Sequence, residues 1–370
     1  MRLVASAASK IDAAAVFFPV AVAGGIQLLY RFRHCHGFIG RSGGLRFLSV
    51  FCRDRTLAYH LRGGNHSDML SPAPMPFKIN RPPGSLPRLS GFSLLGFTGQ
   101  EAGSFLQAQT MNDVRSLAAG QWHWNGWLNA KGRVIALFAL LKLDEEKFLA
   151  VLPDFPAQEL LPLLQRFVFR AKVRLQAITD LVPAADLAPP LDDGATPRDE
   201  TVGDRESGLR LDFSGDVVRR HLLLLPEASP ALGPADADCD SNWLSADSAH
   251  GLPRLAPSQR ESWTPQMLSL QRLCAFSLKK GCYPGQEIVS RTHYLGQARR
   301  GLSRVVGPGL QLGAALKDEQ GSAFGSVISL TPDAGSGLAV VQLDKRGHSA
   351  WIGDQAVALP AFLDGLQRPV

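Results

Sequence analysis

Cysteine is scarce and unpatterned in this chain: Cys35, Cys52, Cys239, Cys274 and Cys282 form no C-x-x-C pair and no even framework. This excludes the disulfide lattice of a small secreted domain and points to a reducing compartment, read here as the cytoplasm. Cys274 and Cys282 are too few for a four-thiolate iron–sulfur site, so no stably bound metal is expected; a cluster bridged between chains or carried transiently stays open. His34-Cys35-His36 is no better as a metal site, because three adjacent side chains meet one ion only under strain. Internal repeats and low-complexity tracts are absent. So are the known RNA-recognition signatures, and direct nucleic-acid binding is not expected. The one long uncharged run, AAAVFFPVAVAGGIQLLY at 13–30, follows Asp12 and contains Pro19 and Gly24-Gly25. It reaches only the lower limit for crossing a hydrocarbon core of ~30 Å, so no membrane partner is expected.

The composition of the 370 residues, 45% hydrophobic and 19% charged, is that of a globular chain with room for two or three domains. Its net charge of +6 is spread along the sequence. Such a charge attracts small polyanionic ligands, RNA or membrane phosphates alike, and a merely solvated surface has the same composition. Residues 1–76 are an extension without recognisable pattern, and the arginine-rich stretch after residue 30 lacks periodicity. A natural start at Met69 or Met75 is the simplest expectation for it.

A proline-rich loop over 77–89 leads to a strand at 92–97, and Thr98-Gly99-Gln100-Glu101 has capping-box spacing before a helix bearing Phe105 and Leu106. Trp122 to Leu128, the apolar run Val134 to Leu143, and Phe148 to Leu152 read as strands, the last two as a hairpin. Leucines at helical spacing predict a helix over 157–169, followed by a strand over 172–178. Residues 183–208, poor in apolar side chains, predict a surface loop. A hairpin (209–213 with 221–225) and a helix around Trp243 follow. Short apolar runs between glycines after Gly301 predict a small C-terminal β-barrel over 301–370. The fold class is α+β.

One stretch stands out chemically: Lys279-Lys280-Gly281-Cys282-Tyr283-Pro284-Gly285-Gln286-Glu287. A thiol between glycines and directly after two lysines has positive charge nearby and little cover, which favours thiolate. The same residues also describe a tight turn filled by a small side chain. Gln286 and Glu287 are expected to orient this loop. Asn112 and Asp113 suit either the hydrogen-bonding edge of a ligand or the closing of a turn, and Lys131 beside Gly132 suits either an anion or a hairpin.

The string K-G-C-Y-x-G-Q-E-x-V-x-R resembles the motif of the YgfZ family. So do three other blocks: the FLQAQTMNDV at 105–114, the NAKGRV at 129–134, and the lead-in Trp263-Thr264-Pro265-Gln266-Met267-Leu268. The likeness spans roughly residues 85 to 365. It implies an aminomethyltransferase-like folate-binding region over 77–300, with tetrahydrofolate or a one-carbon derivative as cofactor. It also implies a role in iron–sulfur cluster assembly or repair, with partners such as tRNA methylthiotransferases. Implied catalytic residues are Cys282, Lys280 and Glu287. The likeness implies two aromatic folate contacts, Phe92 and Trp243; Asn112, Asp113, Lys131, Gln266, Tyr283, Gln286 and Arg291 are the further candidates for the folate site. Two departures bear on turnover. Ile135-Ala136-Leu137 stands where related transferases carry an acidic pair, and Ala249-His250-Gly251 stands where the family often has Glu-Ala-Gly. Without that carboxylate, activation of the folate amine lacks its base, so an accessory folate binder is expected rather than a transferase; a transferase and a scaffold with a vestigial pocket are the alternatives.

Overall fold

The computed structural model describes residues 35–42, 45–52, 55–61, 85–188, 201–204, 208–215, 218–296, 298–346 and 348–368. The chain separates into two compact units, Met1–Pro76 and Phe77–Val370. In the first, β1 (Cys35–Ser42), β2 (Leu45–Cys52) and β3 (Arg55–Leu61) form an antiparallel sheet in that order, where the sequence showed no period. The uncharged run at 13–30, His34 and both candidate start methionines lie outside the described residues.

In the second unit, after β4 (Leu86–Arg88), the strands β5 (Phe92–Thr98), β6 (Trp122–Leu128), β7 (Val134–Lys142), β8 (Lys147–Pro153) and β9 (Arg174–Ile178) build one antiparallel sheet, ordered β6-β7-β8-β5-β9. Helices α1 (Ala102–Gln109) and α2 (Ala157–Gln165) belong to one of its faces, where Phe97, Phe105, Phe138 and Leu160 share a core. On the other face Leu94, Trp122, Trp124 and Leu149 join Leu211, Phe213, Leu222 and Leu224. Those partners come from a second sheet, to which β10 (Leu181–Ala188), β11 (Thr201–Asp204), β12 (Gly208–Asp212), β13 (Arg219–Pro226) and β14 (Leu232–Ala235) contribute with β4, in the order β11-β12-β13-β10-β4-β14. Burial on both faces is why β7 and β8 read as unbroken apolar runs. Helix α3 (Ala237–Ala249) is capped by Asp236, whose side chain accepts from the Asp238 and Cys239 N–H groups. Helix α4 (Gln286–Tyr294) carries the second half of the cysteine motif.

Several expectations are corrected. The helix after Thr98 begins only at Ala102, and no side chain caps it; the Glu101 carboxylate instead accepts from the Lys172 N–H at 2.6 Å. Helix α2 stops at Gln165 rather than 169, Pro162 within it having no N–H to donate. The expected loop at 183–208 starts as strand, β10 pairing with β13 from Leu181↔Pro226 to Ala188↔Arg219, with Ala184, Ala185 and Leu187 buried. Residues 189–200 lie outside the described residues.

The C-terminal sheet is not a closed barrel. Strands β15 (Arg300–Val306), β16 (Ala315–Lys317), β17 (Ala323–Leu330), β18 (Ser336–Gln342), β19 (Ala350–Ile352) and β20 (Gln355–Val357) run in the order β15-β18-β17-β16-β19-β20 as a curled half-barrel. Among the described residues its two edges meet at one bridge, Val306↔Ala358. With β16, β19 and β20 three residues long each, a continuous ladder cannot close around a barrel. Among the described residues no helix is long and apolar enough to cross a membrane.

Candidate functional site

Four charged side chains line up inside the second unit. Arg220 on β13 meets Asp247 on α3 at 2.6 Å, and Arg254 reaches Asp247 at 2.7 Å and Asp154, just after β8, at 3.3 Å. Asp247 and Arg220 are 0% exposed and Arg254 8%. Aromatic faces complete the insulation: the Arg220 guanidinium lies 4.7 Å from the Trp243 ring centre, and Arg254 lies 4.5 Å from that of Phe92. Phe92 and Trp243 meet edge-on at 6.1 Å. The structure thus brings together the two aromatics picked from the sequence, but Trp243 is 1% exposed and no face of it is open. Burial pushes the Asp154 carboxyl up and Asp247 adds to the rise, while Arg254 opposes it. Burial also works against the Arg254 charge, but Asp247 and Asp154 outweigh it and its net shift is upward.

The chain of charges ends at a narrow, solvent-open cleft whose walls include Ile135, Leu137, Asp154, Phe155, Leu255 and Arg260. Asp154 adopts a left-handed backbone conformation, φ 60°, a strained state that persists only where its surroundings enforce it. Its Oδ2 and the Arg260 Nε are buried without a hydrogen-bond partner. An acceptor and a donor, both unsatisfied, therefore belong to one apolar cleft. Sequence reasoning missed Asp154, Arg220, Asp247 and Arg254, because a lone charge in sequence carries no mark of burial.

The cysteine motif forms a second centre. Cys282 is exposed, as the thiolate reading needs. Lys280, however, is 5% exposed and turns inward, its Nζ donating to the carbonyls of Gln107 (2.6 Å), Thr110 (2.5 Å) and Asn112 (3.0 Å) at the end of α1. It is a clamp, with its ammonium committed to the carbonyls that the helix end leaves over. Burial lowers its pKa to about 8, with Asp113 pulling the other way. Tyr283 is buried under that ammonium, 5.0 Å from it, and burial pushes its phenol up to about 12. Gln286 donates to the Lys280 carbonyl and so orients the loop, whereas Glu287 is exposed and unbonded among the described residues.

Asn112 and Asp113 close a turn. The Asn112 amide donates to the carbonyls of Trp124 and Cys274 and its oxygen accepts from the Asp113 N–H, while Asp113 accepts from Gln107. Gln266 anchors α4 by donating to the Val289 carbonyl. Lys131 and Arg291 are exposed. Lys131 stands on a turn that docks on the motif through two glycines: a Cβ on Gly285, at φ +77°, would lie 2.6 Å from both the Asn129 oxygen and the Gly132 Cα. The same turn bonds the 261–263 segment beside Arg260, through Asn129 to Glu261 at 2.8 Å and Arg133 to the Ser262 carbonyl at 2.8 Å. Cleft and cysteine loop are thus tied to one rigid turn. Among the described residues no group of three His, Cys, Asp or Glu side chains is placed to hold a metal ion.

No family model matches the chain. The tRNA-modifying protein YgfZ of Edwardsiella ictaluri is 28% identical over 274 residues, covering 67% of this chain and 78% of that protein. YgfZ of Escherichia coli is 25% identical over 261 residues, with 67% and 79% covered. The chain is similar to the YgfZ proteins over about two thirds of its length. Among solved structures, the aminomethyltransferase T of the Bartonella henselae glycine cleavage system superposes with a TM-score of 0.59 at 17% identity, over 75% of this chain and 85% of that one. The fold shared with that protein is therefore aminomethyltransferase-like.

Two buried histidines set the acid limit of the YgfZ-like unit. Burial, aided by Lys280, holds His123 down to about 3, and burial with Arg220 holds His250 down to about 4. Both folded values lie below the unfolded value of ~6.5, so the unfolded chain binds protons first as pH falls. Stability is complete above pH ~6.5 and declines below it, by up to ~1.4 kcal/mol per pH unit for each histidine. Urea midpoints measured across this range are expected to show that decline, and His123→Asn to flatten it by roughly half.

Proposed function

We propose that this protein binds tetrahydrofolate or a one-carbon derivative without acting as a transferase, and supports assembly or repair of iron–sulfur clusters in tRNA-modifying enzymes of the cytoplasm. The observation that carries this reading is the cleft at Asp154, where an unsatisfied carboxylate oxygen and an unsatisfied guanidinium N–H meet apolar walls. A pterin offers the complement: a flat ring whose amide and amino edge donates and whose carbonyl accepts. Asp154 and Arg260 would hold that edge once the cleft, walled by the buried Phe155 and Leu255, opens to admit the ring, and the acidic tail would lie outside near exposed Lys131 or Arg291. Bound folate supplies a one-carbon carrier. Phe92 and Trp243 act behind this site, insulating the ion chain that fixes Asp154.

The expectation of no turnover is supported by Ile135, Ala136 and Leu137, which line the same cleft and offer no base. Asp154, with its raised carboxyl, favours the rival transferase reading, and steady turnover of a methylamine donor abolished by Asp154→Asn would establish that rival. Cys282 supplies a reachable thiol to the client enzyme. In cells lacking a protein of this kind, the wild-type chain is expected to restore iron–sulfur enzyme activity and Cys282→Ser to fail, with unchanged melting temperature and folate affinity. Full restoration by Cys282→Ser would remove the thiol from the mechanism.

A further inference from the structure

Between α2 and β9 the chain reads Gln165-Arg166-Phe167-Val168-Phe169-Arg170-Ala171-Lys172-Val173-Arg174. Arg166, Arg170, Lys172 and Arg174 are all exposed, and among the described residues none of them forms an ion pair. No acidic residue occurs between Glu159, which is paired with Arg260, and Asp180. The Glu101 carboxylate is bonded to the Lys172 backbone N–H at 2.6 Å. Four uncompensated cations thus share one short loop and the first residue of an edge strand.

Two aromatic side chains alternate with these cations and have different roles. Phe167 packs edge-on against Trp127 at 5.9 Å, and the Phe167 and Val168 N–H groups bond back to the Leu164 and Gln165 carbonyls. These contacts fix the loop. Phe169 is 87% exposed. Cations on an edge strand guard against edge-to-edge pairing, which accounts for Lys172 and Arg174. It does not account for a free phenyl ring between Val168 and Arg170.

We infer that this loop binds single-stranded or looped RNA, Phe169 stacking on a base while Arg166, Arg170, Lys172 and Arg174 neutralise phosphates. Stacking on an aromatic face inside a cationic groove is how sequence-tolerant RNA binding is built. Three of the four cations are arginine, whose planar fork matches phosphate oxygens and stacks on bases. Membrane insertion would call for several free apolar side chains; Phe167, 40% exposed, is held against Trp127, and Phe169 stands free. The inference stands apart from the folate reading and fails or holds independently of it.

The test uses the full chain, a short labelled oligouridylate and an unmodified tRNA transcript, followed by fluorescence anisotropy from low to physiological salt. Wild type is expected to bind both probes, with affinity falling on added salt. A triple Arg166→Gln, Arg170→Gln, Arg174→Gln variant should weaken binding at least ~10-fold and reduce the log–log salt slope by about 2. Phe169→Ala should weaken oligouridylate binding ~5- to 100-fold and leave the slope unchanged. Both variants should melt as wild type does, since these side chains are exposed. No wild-type binding at low salt, variants that bind as wild type, or Phe169-dependent binding to phosphatidylserine vesicles with RNA ignored would each overturn the inference.

Discussion

Asp247→Ala is expected to cost the second unit ~3–5 kcal/mol of stability. One carboxylate, 0% exposed, neutralises two guanidinium groups, Arg220 at 2.6 Å and Arg254 at 2.7 Å. Deleting one partner of a buried ion pair costs ~3–5 kcal/mol, because the remaining charge stays buried without compensation. Here two charges are left, so the loss belongs at the upper end of that range, against a total stability of ~5–15 kcal/mol. The aromatic faces of Trp243 and Phe92 soften the loss by ~1–2 kcal/mol at most. Arg220→Met is the control: it keeps the Asp247–Arg254 pair, and an apolar replacement of similar volume should cost much less. Urea unfolding of the three proteins checks this, and a loss below ~1 kcal/mol for Asp247→Ala would mean that water reaches the chain of charges.

Lys280→Met should cost ~3 kcal/mol or more, and for a reason unrelated to thiol chemistry. The methionine fills the space of the lysine stem but leaves the carbonyls of Gln107, Thr110 and Asn112 without the donor they share, at ~1–3 kcal/mol for each buried acceptor that finds no other. The loop from Ser277 to Gly285 and the end of α1 should then exchange amide hydrogens faster together. Cys282, exposed from the start, should react with a thiol reagent at nearly the wild-type rate. A large fall in that rate, with protection unchanged, would restore Lys280 to the electrostatic role read from the sequence.

How much of this was legible follows from what a linear pattern encodes. The strands from Phe92 to Pro153 were readable because burial on two faces writes continuous apolar runs. The turn at Pro284-Gly285 was readable because Gly285 takes φ +77°, which few other residues adopt. The ion chain was not readable. Arg220, Asp247, Arg254 and Asp154 come from β13, α3, the segment beyond α3 and the end of β8, and only long-range packing takes them out of water. Lys280 was misread for a related reason: next to Cys282 in sequence, it is drawn by unpaired carbonyls more than one hundred and sixty residues away. The C-terminal half-barrel shows the same limit, since glycine-punctuated apolar runs specify strands but not whether the sheet closes. Phe169 was the last residue of the helix expected over 157–169, and with α2 ending at Gln165 it stands in solvent instead.

The account rests on a pterin being held at Asp154 and Arg260, and calorimetric titration with tetrahydrofolate under anaerobic conditions tests this most directly. Saturable one-to-one binding is predicted for the wild-type chain, at least ~10-fold weaker in Asp154→Asn and retained in Cys282→Ser. Absence of heat up to millimolar ligand, or equal affinity in Asp154→Asn and wild type, would contradict it.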